Sequence, residues 1–96
     1  MRERYTIVIE RGDHNFSAYA PDVLGCVTTG PTAEQTVRNM VEALEYHFRG
    51  LREDGDDLPP PLTQPDDVVR LAPDDVVTTV EVELPGPVAI WHRGSA

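Results

Sequence analysis

The chain has 96 residues, 40% of them hydrophobic, and 17 Asp and Glu against eight Lys and Arg give a formal charge of −9. This length corresponds to one domain with a small core, for which self-association is a common way to bury more surface. The charge excludes broad contact with nucleic-acid phosphates or anionic lipid and favours basic protein partners. Neither a secretory signal nor an apolar run of roughly 20 residues is visible, which predicts a cytoplasmic domain.

The first thirty residues have the pattern of three short strands joined by turns. Apolar residues alternate over residues 5–10, which predicts a strand with one buried face. Residues 12–15 have turn chemistry, and residues 16–20 are typical of a returning strand. Pro21 and Asp22 end that strand, and residues 25–29 form a third. Together these segments predict an antiparallel meander.

After Pro31 the apolar period changes to that of a helix. Thr32 and Gln35 have the spacing of a capping box, in which each side chain accepts or donates at the other's backbone. Gly55 and the following prolines predict the end, so we expect a helix over residues 32–54. The apolar stripe comprises Val37, Met40, Val41, Leu44, Phe48 and Leu51, and the charged outer side comprises Glu34, Arg38, Glu42, Glu45, Arg49 and Glu53.

Residues 55–75 are dense in Pro and Asp and predict a mostly irregular connection. They contain Pro65-Asp66-Asp67-Val68-Val69, which is echoed eight residues later at positions 73–77. Two copies are too few for a repeat architecture. Each Pro-Asp-Asp is suited to begin one helical turn, with Pro first and acids near the positive end of the dipole.

Residues 76–84 alternate in polarity and predict a last strand with one solvated side. Residues 85–96 form a tail in which residues 88–92 are either a short edge strand or a segment anchored by Trp91. The whole chain, residues 1–96, is therefore predicted as one α+β domain of β-β-β-α-β type, with its helix on one face of a sheet of order 3-2-1-4. A right-handed crossover predicts that strand four is parallel to strand one.

The sequence contains few residues that are arranged for catalysis or metal binding. There is no phosphate-binding loop, nucleophile elbow or zinc-protease motif, and His14, His47 and His92 are scattered. The single cysteine, Cys26, is best interpreted as a small buried thiol with no base indicated nearby. We therefore predict no catalytic residue, no cofactor and no metal site.

One alternative is a metal-dependent nuclease built from carboxylates on the first and last strands. Glu10, Asp22 and Glu83, with Glu81 beside the last, would face each other if those strands are neighbours. Carboxylates so placed can hold magnesium for two-metal hydrolysis. The simpler interpretation is that they are solvated residues on an acidic protein.

Residues 16–32 have a distinctive order of parts: a strand, a Pro-Asp break, a Gly-Cys strand, and Gly-x-Thr leading into a capped helix. This segment resembles the HicB antitoxin family, whose members typically have F-S-A-Y-x-P-D-x-x-G-C-x-x-x-G-x-T. The likeness continues through Glu34, Asn39 and residues 42–43 on the helix, and through residues 53–55 to the Pro-rich residues 58–61. It covers roughly residues 4–61.

The resemblance implies a partly degraded ribonuclease-H-like domain without its catalytic carboxylates. It also implies a partner, a small basic HicA toxin that cleaves messenger RNA and whose active site the antitoxin masks. The acid excess agrees with such a partner, because complementary charge raises the association rate. The predicted contact surface combines Glu42 and Glu45 on the helix with the corner formed by Tyr19, Pro21 and Asp22.

The chain also departs from the family pattern. Many HicB proteins carry a carboxy-terminal DNA-binding domain, whereas twelve residues follow Leu84 here. The expectation is therefore an antitoxin without direct DNA binding, and the small size of the chain favours a homo-oligomer. Besides the nuclease remnant, the other alternative is an oligomeric domain without a toxin, whose sheet edge or helix pairs with itself.

Overall fold

The computed structural model describes residues 1–86, in which a four-stranded sheet packs against one long helix. The elements are β1 (Arg2–Arg11), β2 (Phe16–Ala20), β3 (Val23–Gly30), α1 (Ala33–Glu53), a 3-10 turn (Pro65–Asp67) and β4 (Val76–Glu83). The predicted sequence of elements is confirmed, although β1 and β3 begin earlier than predicted. The predicted edge strand or tail over residues 88–92, including Trp91, lies outside the described residues.

The sheet has the predicted order β3-β2-β1-β4, but the predicted direction of β4 is wrong. β4 runs antiparallel to β1, with Val76 beside Ile9 and Glu83 beside Arg2. The crossover rule applies when a helix alone returns the chain to the end at which the next strand begins. Here residues 54–75 carry the chain back along the sheet after the helix, so β4 starts at the opposite end.

The core lies between the sheet and the apolar stripe of α1. Of the predicted stripe, Met40, Leu44 and Phe48 are buried and the other three residues are partly buried. Tyr5 packs its ring 5.2 Å from that of Phe48. The buried cluster comprises Tyr5, Ile7, Ile9, Ala18, Ala20, Val23, Cys26, Met40, Leu44, Phe48, Val80 and Val82. This single layer of side chains is what a domain of this length can bury.

Only one of the two hydrogen bonds of the predicted capping box is present at the start of α1. The Thr32 hydroxyl accepts a hydrogen bond from the backbone N–H of Gln35 at 3.0 Å. The Gln35 side chain does not reach back, because its amide donates to Asn39 Oδ1 at 2.8 Å. Asn39 in turn donates to the carbonyl of Thr29 at 2.9 Å. Gln35 thus orients Asn39, which links α1 to β3. The predicted return hydrogen bond from Gln35 to the backbone of Thr32 is wrong.

β1 is buried on both faces, and not on one as predicted. Thr6 and Val8, which point away from the helix, are only 3% and 1% exposed. The Tyr5 hydroxyl donates to the carbonyl of Pro59 at 2.6 Å, and the Thr6 hydroxyl donates to the carbonyl of Thr63 at 2.7 Å. Neighbouring residues of a strand point to opposite faces of the sheet. Pro59 therefore lies on the face of Tyr5 and Thr63 on the face of Thr6, so the connection passes around the end of the sheet between these two residues.

The two Pro-Asp-Asp copies make the same local hydrogen bonds. Asp67 donates its N–H to the carbonyl of Gln64 at 2.9 Å and accepts the Gln64 N–H on its carboxylate at 3.0 Å. Asp75 repeats this with Ala72, at 3.1 and 3.2 Å. Only the first copy is a 3-10 helix. Each copy is a self-capped turn, and the second one places the chain at the start of β4.

Candidate partner-binding surface

The predicted corner lies at the end of the sheet, where β2 turns into β3. Tyr19 points to the sheet face away from the helix, beside Val27 in register. Asp22 is half-buried, and its two carboxylate oxygens accept hydrogen bonds from Thr63, from the hydroxyl at 2.7 Å and from the N–H at 2.8 Å. Asp22 therefore holds the connection against the sheet. No local pattern signals this contact, because the partners are 41 residues apart along the chain.

A shallow groove of about 250 Å³ adjoins this corner and is lined by Tyr19, Ala20, Pro21, Val23, Leu24, Gly25, Cys26 and Val27. Two of its apolar side chains face solvent, Leu24 at 89% and Val27 at 63% exposed. Sequence reasoning missed this feature. Its signal is the absence of charge over residues 16–30, where Asp22 is the one charged residue in a chain that is 26% charged.

The helix residues of the predicted surface have different environments. Glu42 is exposed on the outer side, as predicted. Glu45 lies on the flank that faces β4, where its carboxylate accepts the backbone N–H of Glu83 at 2.8 Å, so its placement on the outer side is wrong. This bond satisfies a donor at the edge of the sheet and fixes the helix relative to β4.

The five predicted contact residues do not form one surface. Tyr19 belongs to the sheet face that the helix leaves uncovered, whereas Glu42 belongs to the solvent side of the helix on the other face. Pro21 and Asp22 lie between these faces, at the end of the sheet. The structure therefore separates an apolar corner from an acidic helix.

Charge is unevenly distributed along the fold. Residues 33–75, which comprise the helix and the connection, contain eleven Asp and Glu against four Arg. They account for seven of the nine net negative charges. The helix also carries internal pairing, with Arg38 3.2 Å from Glu34 and the Arg49 guanidinium 5.9 Å from the Tyr46 ring centre. The acidic surface thus runs from the helix into the connection.

The carboxylates of the nuclease alternative are kept apart by the antiparallel register. Glu10 pairs with Ser17 near the end of β1, whereas Glu81 lies beside Arg4, six residues back along that strand. Glu81 and Glu83 are ion-paired, with Arg4 at 3.3 Å and Arg2 at 3.6 Å. Within residues 1–86 no group of three His, Cys, Asp or Glu side chains is placed to hold a metal ion.

Cys26 is buried in the core, as predicted. Burial raises the pKa of its thiol, because the charged thiolate loses hydration there. A raised pKa disfavours the nucleophilic form, so the geometry gives Cys26 a packing role. His47 lies on the helix beside Phe48, with ring centres 6.3 Å apart, and His92 lies outside the described residues.

The fold is shared with antitoxins of known structure. The N-terminal domain of the Burkholderia pseudomallei antitoxin HicB superposes with a TM-score of 0.74 at 24% identity, over 85% of this chain and 100% of that one. A chain of the HicA3 and HicB3 toxin-antitoxin complex superposes with a TM-score of 0.65 at 27% identity, over 88% of this chain and 100% of that one. These similarities establish the class, an α+β antitoxin-type domain.

A family model described as the HicB-like antitoxin of bacterial toxin-antitoxin systems matches residues 5–85, and the chain belongs to that family. A protein from the rep-hol intergenic region of Haemophilus phage HP1 is 33% identical over 86 residues, which are 83% of this chain and 61% of the phage protein. The chain thus spans less than two thirds of that relative's length. No helix in the described part of the chain is both long and apolar enough to cross a membrane.

Proposed function

We propose that this chain binds a small basic HicA-type toxin in the cytoplasm, masks the active site with which the toxin cleaves messenger RNA, and catalyses no reaction itself. The observation that carries the proposal is membership of the HicB-like antitoxin family over residues 5–85. The 27% identical chain in the HicA3 and HicB3 complex supports a toxin of the same kind as the partner.

The acidic surface of the helix and the connection is the part of the molecule that suits a basic partner. An enzyme that cleaves RNA presents positive charge to the phosphate backbone. A protein surface with seven more negative than positive side chains competes for the same positive charge, which supports masking as the mode of inhibition. Within this surface Glu42 is exposed and free to meet a partner cation, whereas Glu45 is engaged with the backbone of β4.

Capture of the partner from the native host tests the proposal. The immobilised chain is incubated with lysate at low salt, and the retained proteins are identified by mass spectrometry. We expect one small basic protein in near-equal amount, released as salt is raised, because exposed charges farther apart than about 10 Å are screened at 0.1 M salt. Retention of acidic or unrelated proteins, or of none, would contradict the proposal.

Charge reversal at Glu42 tests the surface. Glu42→Arg is expected to weaken binding of the captured toxin by about tenfold, mainly through a slower association rate. Asp13→Arg, at an exposed acid of the turn between β1 and β2, makes the same charge change and serves as the control. Stopped-flow binding at two salt concentrations measures both. Equal effects of the two variants on toxin binding would show that binding depends on net charge and not on the helix surface.

A further inference from the structure

Gly50 lies inside α1, at a position where the fold does not require a glycine. Glycine is required where the backbone has a positive φ, or where another atom lies too close for a side chain. Among the described glycines, Gly25 and Gly55 have a positive φ and Gly50 does not. A Cβ atom at Gly50 would meet no atom within 4 Å. Gly50 therefore weakens the helix without serving the packing of the described chain.

The missing side chain at position 50 opens a groove on the surface of the helix. The groove has a volume of about 230 Å³ and is lined by Tyr46, His47, Gly50, Leu51 and Asp54. Helical side chains lean toward the N-terminus, so a side chain at position 50 would lie against Tyr46, four residues earlier. Glycine leaves that side of the ring uncovered, and Tyr46 is 75% exposed.

The groove contains two groups that bind an organic cation. One is the ring of Tyr46, and the Arg49 guanidinium 5.9 Å from its centre shows that a cation can lie beside this ring. The other is the exposed carboxylate of Asp54, which forms no ion pair within residues 1–86. An aromatic face and a carboxylate in one groove suit a positively charged side chain with an apolar stem.

We propose that this groove receives an arginine side chain of the basic partner, stacked on the Tyr46 ring and paired with the Asp54 carboxylate. A guanidinium stacks on aromatic faces and forms two parallel hydrogen bonds with a carboxylate, whereas the ammonium group of lysine is a compact, strongly hydrated charge. The inference rests on the proposed function, because it names the point at which the basic toxin is anchored on the acidic surface.

The groove is continuous with the exposed acid that the proposed function uses. Glu42, Tyr46, Gly50 and Asp54 follow one another at intervals of four residues, which places them in one row along the helix. The row has a carboxylate at each end and contains no cation. Tyrosine and arginine are enriched among the residues that contribute most to binding at interfaces. Tyr46 is therefore the anchor of this surface, and Glu42 extends it.

Filling the groove tests the inference. Gly50→Gln is expected to weaken binding of the captured basic protein about tenfold, because the new side chain occupies the place of the arginine. The same variant is expected to be more stable in urea than the native chain, because glutamine is a better helix former than glycine. If Gly50 had a structural role only, the variant would lose stability together with binding.

Tyr46 supplies a second pair of variants. Tyr46→Ala is expected to weaken binding of the captured protein about tenfold, because it removes the aromatic face. Tyr46→Phe keeps that face and is expected to bind within about twofold of the native chain. Far-ultraviolet circular dichroism confirms that each variant is folded.

The carboxylate has a matched control on the neighbouring residue. Asp54→Asn is expected to weaken binding about threefold, because an exposed ion pair is lost. Glu53→Gln removes the same charge from an exposed acid that does not line the groove, and a smaller loss is expected there.

Native affinity in either Gly50→Gln or Tyr46→Ala would overturn the inference, as would equal losses in Asp54→Asn and Glu53→Gln. If the lysate yields no basic protein, the proposed function fails, and a synthetic tetra-arginine peptide then tests the groove by itself. Nuclear magnetic resonance of the full chain is expected to show that the peptide shifts the ring signals of Tyr46 and not those of Tyr19. Equal shifts or none overturn the inference, as does a tetralysine peptide that shifts Tyr46 as strongly.

Discussion

Gly30 occupies the place where β3 meets the first turn of the helix, and a side chain there has no room. A Cβ atom would lie 2.6 Å from Thr36 Oγ1 and 3.0 Å from the Thr36 backbone nitrogen. Thr36 cannot move away, since it is buried and its hydroxyl donates to the carbonyl of Thr32 at 2.7 Å. Glycine at this position therefore sets how closely the helix approaches the sheet.

Gly30→Ala is expected to lower the free energy of unfolding by about 1–3 kcal/mol, because the backbone of the helix start must shift to relieve the overlap. Gly50→Ala is the matched control. A Cβ at Gly50, in the helix, meets no atom within 4 Å, so this change is expected to add about 0.5–1 kcal/mol. Urea unfolding of both variants gives the comparison, and equal shifts would contradict the close approach at Gly30.

At the scale of elements, the connection between α1 and β4 decides the topology. It is held by three groups on the sheet, the hydroxyls of Tyr5 and Thr6 and the carboxylate of Asp22. These anchors lie at the end of the sheet where the connection changes face. Without them the connection would have little to keep it on the surface, because it is largely irregular and makes few other side-chain bonds among the described residues.

Asp22→Ala is expected to cost about 1–3 kcal/mol, because the N–H and hydroxyl of Thr63 both lose their acceptor. Amide hydrogen exchange should also accelerate within residues 59–67 before it does so in the helix. Asp56→Ala, at an exposed acid of the same connection, controls for the loss of charge. If both variants unfold at the same urea concentration, Asp22 does not anchor the connection.

Elements differed in how well local pattern predicted them. The helix was predicted to within one residue at each end, since Thr32 caps it through its own side chain and Gly55, at φ +80°, ends it. Those signals are local and need no knowledge of the rest of the chain. The direction of β4 depends on where residues 54–75 travel, and that path is set by contacts to Tyr5, Thr6 and Asp22, which are distant in sequence.

At the scale of the whole molecule, the absence of lysine simplifies the dependence of stability on pH in the alkaline range. All eight Lys and Arg positions of the sequence are arginine, so no lysine side chain titrates at alkaline pH. Burial, with smaller effects from the charges of Glu3 and Asp22, raises the pKa of the Tyr5 hydroxyl. Loss of its proton therefore occurs at lower pH in the unfolded chain than in the folded one.

Because its pKa is raised in the folded chain, the Tyr5 hydroxyl contributes fully to stability below its unfolded pKa of about 10. This contribution is lost as the pH rises through the pKa of the folded chain. The free energy of unfolding of the native chain should fall above pH 10. The Tyr5→Phe variant is expected to be about 1 kcal/mol less stable at neutral pH, because it lacks the hydrogen bond to Pro59. Above pH 10 its free energy of unfolding should fall less steeply than that of the native chain. Tyr46→Phe, at an exposed tyrosine, should keep the native slope, and identical slopes in all three proteins would exclude Tyr5 as the cause.

The sequence by itself determined the class of the fold, the position of the helix, the strand order and the family. Each of these depends on local periodicity, on capping or turn chemistry, or on the segment of residues 16–32, and such signals are complete within a few residues. It also showed that the protein is acidic, which favours a basic partner, because net charge needs no structure.

Tertiary structure alone decided the direction of β4, the burial of both faces of β1 and the separation of the acidic helix from the apolar corner. It also engaged Asp22 and Glu45 in internal bonds, so two of the five predicted contact residues hold the fold together. The physical reason is the same in each case. A hydrogen bond between residues about 40 positions apart depends on how the chain closes on itself, and no local pattern of residues encodes that closure.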